Sequence, residues 1–220
     1  MKPLDRHAIA RRAARDIRDG SFVNLGIGMP TLIGNYIPRE REVFLHSENG
    51  LIGVGPAPAE SEIDWDMIDA GKSPITMIVG SAIFDSALSF AMMRGGHLDL
   101  AVLGAFEVSK HGDLANWWTG EPGGLPAVGG AMDLACGAKE IWVLMDHTTK
   151  AGRPRIVDAC SYPLTERRVV RRIYTNLAVI EVMPQGLVAR EIAEGLDLPG
   201  LQRLTEPPLI GAPDLRTLVA

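Results

Sequence analysis

The sequence predicts an α/β protein with a single open, mostly parallel sheet and helices on both faces. Segments of helical and extended character alternate along the chain, and several of the extended segments are almost continuously apolar. Apolar strands that alternate with helices are typical of a parallel sheet that is covered on both faces. A chain of 220 residues suffices for one such unit, so we expect a single domain that spans 1–220.

Each predicted element rests on a local pattern. Spacing of apolar residues by four favours a helix near the N-terminus, and Pro30 suits the first turn of a second helix. Asp85 is a suitable N-cap for a third helix, which Gly95 would end. The predicted helices span 4–17, 30–36, 85–94 and 131–139, and the predicted strands span 22–26, 43–46, 76–79, 98–103, 141–145 and 177–182.

Two segments do not predict regular structure. The stretch 47–58 is rich in glycine and proline, which favour turns and loops. The proline-rich tail after Leu198 is expected to wrap over the surface or over a partner.

Composition limits the class of function. The formal charge of −5 gives no basic footprint for nucleic acid or for an anionic membrane. Two cysteines allow neither a disulfide framework nor a four-thiol metal site. The N-terminus has no apolar signal core, and no apolar run approaches the about 18 residues of a transmembrane helix. We therefore expect a cytoplasmic protein without nucleic-acid or membrane partners.

Common enzyme signatures are incomplete. Gly26 and Gly28 follow a predicted strand, but Thr31 occupies the third position of the dinucleotide-binding fingerprint. A pair such as Asp146-His147 is more often part of a hydrogen-bonded loop than of a metal site, so no metal is predicted. Cys136 lies in an apolar helical pattern and is predicted to be a core residue.

The strongest chemical signal lies in SENGLIGVGP (47–56). Glu48 stands where an apolar strand ends and a glycine-rich turn begins. Ligands bind at the carboxyl ends of strands in open α/β sheets, and glycines let the backbone approach a ligand and leave N–H groups free. Glu48 is therefore either a carboxylate held beside a substrate carbonyl or a structural glutamate in a turn. The spacing by itself favours the structural role.

The extended string SENGLIGVGPAP closely resembles the glutamate motif of the second (β) subunit of the family I CoA-transferases. The resemblance covers nearly the whole chain and implies the CoA-transferase fold, which is of the NagB/RpiA-like type. Further strings match this family in the same order, namely VNLGIGMPTLIGNYIP, SFAMMRGGHLDLAVLGAFEV, GDLANW, GGAMDLACGAKE and DHTTKAGRPRIV.

This resemblance implies a ping-pong exchange in which Glu48 forms a mixed anhydride and then a glutamyl-CoA thioester. Coenzyme A is then a substrate and a covalent intermediate, and no cofactor is bound permanently. Covalent catalysis divides a difficult exchange into easier steps, but water must be kept from the thioester. The variants FLHSENG, MMRGGHLDL and LANWWTG look most like the branch that moves CoA from succinyl-CoA to 3-oxoadipate. The acetoacetate branch shares the catalytic motifs.

The resemblance also assigns supporting residues. A tetrahedral oxyanion needs preorganised donors, and the family places one in the segment equivalent to GGAMDL. Gly129 or Gly130 is therefore the expected backbone donor, although two glycines can also serve only a tight turn. Asn24 is expected to hydrogen-bond near the reacting carboxyl, or else to tie loops together. The pocket walls are expected to include Gly26, Gly28, Asn49, Gly50 and Gly53.

Part of the chain departs from the family pattern. Many relatives carry lysines for the CoA phosphates just before GGAMDL, whereas the segment 119–128 has none. A lysine contact from this chain to CoA is therefore in doubt.

Family I enzymes consist of two related halves, and this chain matches only the second. The resemblance implies that an α subunit is the partner, in an αβ or α2β2 assembly, with succinyl-CoA and a 3-oxo acid as substrates. Three alternatives stay open: an acyl-CoA hydrolase, a non-catalytic module for nucleotides or sugar phosphates on the same layered fold, and a regulatory subunit. Glu48 discriminates among them, because a binding module needs no carboxylate in that turn.

Overall fold

The computed structural model describes residues 1–120 and 126–220 and confirms the α/β class. The helices are α1 (Arg6–Ala14), α2 (Ser86–Arg94), α3 (Ala131–Gly137) and α4 (Leu198–Gln202), with short 3₁₀ helices at Pro30–Tyr36 and Glu60–Glu62. The strands are β1 (Phe22–Leu25), β2 (Phe44–Ser47), β3 (Leu51–Val54), β4 (Met77–Ile83), β5 (Leu100–Gly104), β6 (Glu107–Ser109), β7 (Leu114–Ala115), β8 (Glu140–Leu144), β9 (Ile156–Val157), β10 (Val170–Tyr174), β11 (Ala178–Met183), β12 (Gly186–Ala193) and β13 (Leu209–Leu218).

Ten strands form one open sheet in the order β13-β12-β11-β10-β8-β5-β1-β2-β3-β4. Five of the nine neighbouring pairs are parallel, and four of these make up the central run from β10 to β2. The antiparallel pairs lie toward the two edges. The mostly parallel sheet is thus confirmed. A second sheet of β7, β6 and β9 was not predicted, because strands of two or three residues carry no recognisable periodicity.

Strand β5 shows that the sheet is covered on both faces. Leu100 and Val102 belong to a hydrophobic core that includes α1 and the 3₁₀ helix Pro30–Tyr36. Ala101 and Leu103 belong to the opposite core, which includes residues of α2, α3 and α4. Because alternate side chains of a strand point to opposite faces, the helices lie on both faces as predicted.

The two ends of α2 follow the predicted caps. Asp85 accepts a hydrogen bond from the N–H of Leu88 at 2.8 Å, and Gly95 is the C-cap of α2. Asp5 caps the start of α1, and this helix ends at Ala14, so it is shorter than the predicted 4–17 at both ends. No helix in the described part of the chain is both long and apolar enough to cross a membrane.

The two segments without predicted structure contain strands. Within 47–58, β3 pairs with both β2 and β4, and Gly53 takes a φ of +83° at a register shift. The tail after Leu198 does not wrap over the surface as expected, because it forms α4 and β13, which pairs in parallel with β12. Pro213 is tolerated in β13 because an edge strand has one side without ladder hydrogen bonds.

Candidate active site

The carboxyl ends of the central parallel strands meet at a large cavity of about 1310 Å³. Its walls come from the ends of β1, β2, β5 and β8, from the 3₁₀ helix Pro30–Tyr36 and from the start of α3. This is the edge at which open α/β sheets bind ligands. Glu48, Gly129 and Gly130 all line it.

Glu48 directly follows β2, in a turn whose neighbouring residues are tied to another loop. The N–H of Ala70 donates to Ser47 Oγ at 2.9 Å. The Asn49 side-chain amide donates to the carbonyl oxygen of Ile68 at 2.8 Å. These two bonds fix the backbone on either side of Glu48, whose own side chain faces the cavity.

Gly50 and Gly53 let the hairpin pack closely behind this turn. Their φ angles of +115° and +83° lie in a region that residues with a Cβ rarely adopt. A Cβ on Gly50 would overlap the carbonyl oxygen of Phe84, and one on Gly53 would lie 2.6 Å from Cβ of Ser81. Glycine is therefore required here by the fold.

The Glu48 carboxylate lies against the backbone of Gly130, the buried residue that precedes α3. A Cβ at Gly130 would overlap Oε2 of Glu48 and lie 3.0 Å from its Cδ. The same Cβ would lie 3.5 Å from Cζ of Phe90, so this ring bounds the space on the α2 side. Within residues 1–120 and 126–220, the N–H groups of Gly129 and Gly130 donate to no backbone or side-chain acceptor. They are available to an incoming oxygen atom.

Two causes raise the pKa of Glu48. The larger is partial burial, which disfavours the charged carboxylate, and the second is the negative charge of Asp133 in the first turn of α3. Asp133 is held in place by an ion pair with Arg94 at 2.6 Å. The raised pKa makes the Glu48 carboxylate a stronger base once it is ionised.

Asn24 lines the cavity, but its hydrogen bonds go to His46. Its Nδ2 donates to the His46 carbonyl oxygen at 3.2 Å and to Nδ1 of the ring at 3.0 Å, and it makes no bond with Glu48. Burial lowers the pKa of His46 to about 4, so the ring is neutral and its Nε2 donates to Ser89 Oγ at 3.0 Å. Asn24 therefore orients the last residues of β2. The bonded residues are partners in neighbouring strands, so this contact is neither the expected one near the reacting carboxyl nor a tie between loops.

Six of the nine predicted site residues lie on the cavity wall, namely Glu48, Gly129, Gly130, Asn24, Gly26 and Gly28. The expectation that Asn49, Gly50 and Gly53 form pocket walls needs correction, because these residues support the turn from behind. In the lysine-free segment 119–128, residues 121–125 lie outside the described residues.

Two further sequence predictions concern His147 and Cys136. His147 is buried, with ring nitrogens 3.0 Å and 2.9 Å from the hydroxyls of Thr175 and Thr205, so it belongs to a hydrogen-bonded loop. The prediction that Cys136 is a core residue was wrong, since it is exposed on α3.

Sequence reasoning missed three residues near the site. His46 is the one polar residue of the predicted strand 43–46, and this is the local signal that could have indicated it. Asp133 lies in the first turn of a helix, where acidic residues are common for electrostatic reasons. Arg155 lines the cavity from a polar loop; it lies in the family-like string DHTTKAGRPRIV, where sequence reasoning gave it no role.

Known proteins similar to this chain show the family to which it belongs. Residues 6–198 match the coenzyme A transferase family. The chain is 58% identical over 209 residues to the β (B) subunit of 3-oxoadipate CoA-transferase from Pseudomonas putida, covering 95% of this chain and 98% of that protein. It is 49% identical over 202 residues to the β (B) subunit of a probable succinyl-CoA:3-ketoacid coenzyme A transferase from Bacillus subtilis, covering 91% and 93%.

Among solved structures, the fold is similar to that of an acyl-CoA transferase from Escherichia coli O157:H7 in a thioester complex with CoA. The TM-score is 0.75 at 22% sequence identity. The match covers 99% of this chain but 44% of that protein, so this chain spans less than half of its length. The family match over most of the sequence and the two bacterial relatives lead to one conclusion: the chain belongs to the coenzyme A transferase family.

Proposed function

We propose that the chain is the β subunit of an enzyme that moves CoA from succinyl-CoA to a 3-oxo acid, with 3-oxoadipate as the acceptor. The relative from Pseudomonas putida, which is 58% identical and matches over 98% of its length, is the β subunit of a 3-oxoadipate CoA-transferase. The Bacillus subtilis relative is less similar and is described as acting on 3-ketoacids. The acceptor is therefore the part of the proposal that an experiment must decide.

In the proposed mechanism, a carboxylate oxygen of Glu48 attacks the thioester carbonyl of succinyl-CoA. The C–S bond breaks, CoA leaves as a thiolate, and Glu48 is left in a mixed anhydride with succinate. The thiolate then attacks the carbonyl carbon of Glu48, which gives a glutamyl-CoA thioester and free succinate. The acceptor acid runs both steps in reverse and leaves as its CoA ester. The bond energy of the thioester is kept throughout, so no other energy source is needed.

The observation that carries the proposal is the contact of the Glu48 carboxylate with the backbone of Gly130. Each attack creates an oxyanion on a carbon next to this contact. The N–H groups of Gly129 and Gly130, which lack acceptors among the described residues, are suitable donors to it. A glutamate with a purely structural role would place its carboxylate in a salt bridge or in water. The Glu48 carboxylate instead occupies space that is free because residue 130 is a glycine.

The cavity suits a substrate that is long and partly apolar. Its volume of about 1310 Å³ exceeds the roughly 300–1,000 Å³ of ordinary small-molecule pockets. Gly26 and Gly28 form part of the wall and Asn24 holds the end of β2, so these residues position Glu48 and leave room for an acyl chain. In this mechanism CoA is a substrate and a transient covalent group.

The partner in this proposal is an α subunit, in an αβ or α2β2 assembly. Both bacterial relatives are described as β (B) subunits, and the Escherichia coli chain is more than twice as long as the part that matches. An apolar edge also supports a partner. In β4, which has only β3 as a neighbour in the described sheet, Val79 is fully exposed and Ile83 is 66% exposed. Exposed apolar surface of this kind marks interfaces.

Intact-protein mass spectrometry tests the proposal. The chain is co-expressed with its α subunit, the complex is mixed with succinyl-CoA, and we expect a CoA-sized adduct that maps to Glu48. Adding 3-oxoadipate should remove the adduct. Glu48→Gln should form no adduct, whereas Glu60→Gln, which changes an exposed glutamate outside the cavity, should form it as the wild type does.

Each other outcome has a distinct meaning. Removal by acetoacetate and not by 3-oxoadipate would keep the mechanism and change the acceptor. If the adduct disappears without any added acceptor acid, water has hydrolysed the thioester, and the enzyme is an acyl-CoA hydrolase. Absence of an adduct in a folded, assembled enzyme would exclude the nucleophilic role of Glu48 and favour a binding module.

A further inference from the structure

Arg155 lines the cavity that contains Glu48 and brings a positive charge to it. Its Nε is buried and has no hydrogen-bond partner in the part of the chain that the structure describes. The ion pairs found in that part all involve other residues. A guanidinium stays charged at any physiological pH, and a buried donor without a partner is unfavourable. Such a group is suited to a ligand that supplies the missing acceptors.

The other arginines that line the cavity differ from Arg155. Arg41 donates to the backbone carbonyl oxygens of Arg15 and Ile17, so its guanidinium is already used within the fold. Arg6 and Arg39 are exposed residues, and water can solvate them. Arg155 alone among these four has a buried nitrogen without a partner in the described residues.

The backbone holds Arg155 at a fixed place beyond the end of β8. Its N–H donates to the carbonyl oxygen of His147 at 3.1 Å, and its own carbonyl accepts from the N–H of Val108 at 2.9 Å. His147 is itself anchored by two buried hydroxyls. The start of the Arg155 side chain is therefore fixed relative to the sheet, as a specific subsite requires.

The order of the strands gives the lateral distance between Arg155 and Glu48, and this distance suits a short dicarboxylic acid. Glu48 follows β2 and Arg155 is bonded to the segment after β8, and the strands between them are β1 and β5. Three strand spacings of about 4.8 Å give a lateral distance of roughly 14 Å between the two backbone positions. Both side chains line the same cavity, and a short dicarboxylic acid can occupy the space between their ends.

We propose that Arg155 binds the distal carboxylate of the acyl group, the one that Glu48 does not activate. This inference rests on the proposed function, since it concerns the far end of the acid whose near end reacts at Glu48. A planar guanidinium accepts a carboxylate through two parallel hydrogen bonds, which adds direction to charge attraction. Succinate and 3-oxoadipate both have a second carboxylate and acetoacetate has none. Arg155 thus selects for dicarboxylic substrates.

A single-turnover experiment measures this selection. The assembled enzyme is loaded with excess succinyl-CoA, desalted, and discharged with subsaturating 3-oxoadipate or with 3-oxohexanoate, which has the same chain length but no distal carboxylate. Arg155→Ala should slow discharge by 3-oxoadipate by roughly 10- to 100-fold, the range for a hydrogen-bonded charged group. Discharge by 3-oxohexanoate should stay within about twofold of wild type. Arg155→Lys keeps the charge without the planar fork and should give an intermediate loss for the diacid.

Arg153→Ala is the matched control, because it removes the same charge from an exposed position in the same loop and should leave both rates unchanged. An unchanged rate for 3-oxoadipate in Arg155→Ala would overturn the proposal. So would an equal loss for both acids, which would point to a general effect on the site. A loss that appears only in the affinity for succinyl-CoA and free CoA would assign Arg155 to CoA and overturn it as well.

A binding measurement keeps this inference separate from the role of Glu48. In calorimetric titrations of the assembled Glu48→Gln enzyme, succinate should bind at least about tenfold more tightly than butyrate. Adding Arg155→Ala should abolish that preference, and Arg153→Ala should preserve it. If no thioester forms on the wild-type enzyme, the proposed function fails, and this titration still decides whether Arg155 recognises the second carboxylate.

Discussion

The two ends of α3 are each built around a glycine, and the two glycines make room for different neighbours. At the start, Gly130 leaves space for the carboxylate of Glu48, whose Oε2 a Cβ would overlap. At the end, a Cβ on Gly137 would overlap the carbonyl oxygen of Met93 and lie 3.0 Å from Cα of Arg94. The first neighbour is a side chain in a cavity, and the second is the backbone of α2.

This difference shows that a glycine in the sequence can indicate a close contact, but it does not indicate whether the contact serves catalysis or packing. A side chain next to a cavity can turn away from an added methyl group, so the fold survives and the reacting group is displaced. A backbone inside a helix pair cannot turn away, so two helices must separate. One end of α3 should therefore respond to substitution in its activity and the other in its stability.

The largest effect is expected for Gly130→Ala. The added methyl group displaces the Glu48 carboxylate from its position, and misplacement of a reacting group by about 1 Å can cost roughly 100-fold in rate. The rate of adduct formation from succinyl-CoA should fall by about that factor, while the melting temperature of the assembled enzyme stays near the wild-type value. A large fall in melting temperature would contradict the separation of roles at the two ends of α3.

Gly137→Ala should give the reverse result. Overpacking against backbone costs about 1–3 kcal/mol, of which the better helix propensity of alanine returns up to about 1 kcal/mol. We expect a net loss of about 2 kcal/mol, which lowers the melting temperature of a chain of this size by about 4–8 °C. The rate of adduct formation per folded enzyme should stay within about threefold of wild type. Thermal unfolding and single-turnover loading at a low temperature measure the two quantities.

The smallest effect is expected from the charge that links α3 to the site. Asp133 raises the pKa of Glu48, and Glu48 attacks only when it is deprotonated. Asp133→Asn removes that negative charge and lowers the pKa of Glu48. The acid limb of the loading rate should therefore move to lower pH, and part of the pKa elevation should remain because partial burial is its larger cause.

Arg94→Gln is the matched control for this shift. Like Asp133→Asn, it breaks the ion pair between Arg94 and Asp133, but it leaves the negative charge of Asp133 in place. Its acid limb should stay where it is or move to higher pH, since a nearby positive charge is lost. A shift of both variants to lower pH would mean that the ion pair matters through the position of α3 and not through the charge of Asp133.

Much of the fold was predictable because its signals are local. The cap at Asp85 and the glycine that ends α2 depend on residues within one helical turn. The central strands were predictable as well, since burial on both faces requires continuous apolar runs such as that of β5. By contrast, β13 contains Pro213 and charged residues, and only its place at the edge of the sheet permits this.

The site divides in the same way. The sequence by itself determined that Glu48 stands between an apolar strand and a glycine-rich turn, because strand and turn signals are properties of adjacent residues. Only the tertiary structure decided that Gly130 touches its carboxylate, that Asn24 binds His46, and that Arg155 shares the cavity. These residues lie far apart in the sequence. They meet because strands that are distant along the chain pair side by side, and the partner of each strand is selected by the packing of the whole sheet.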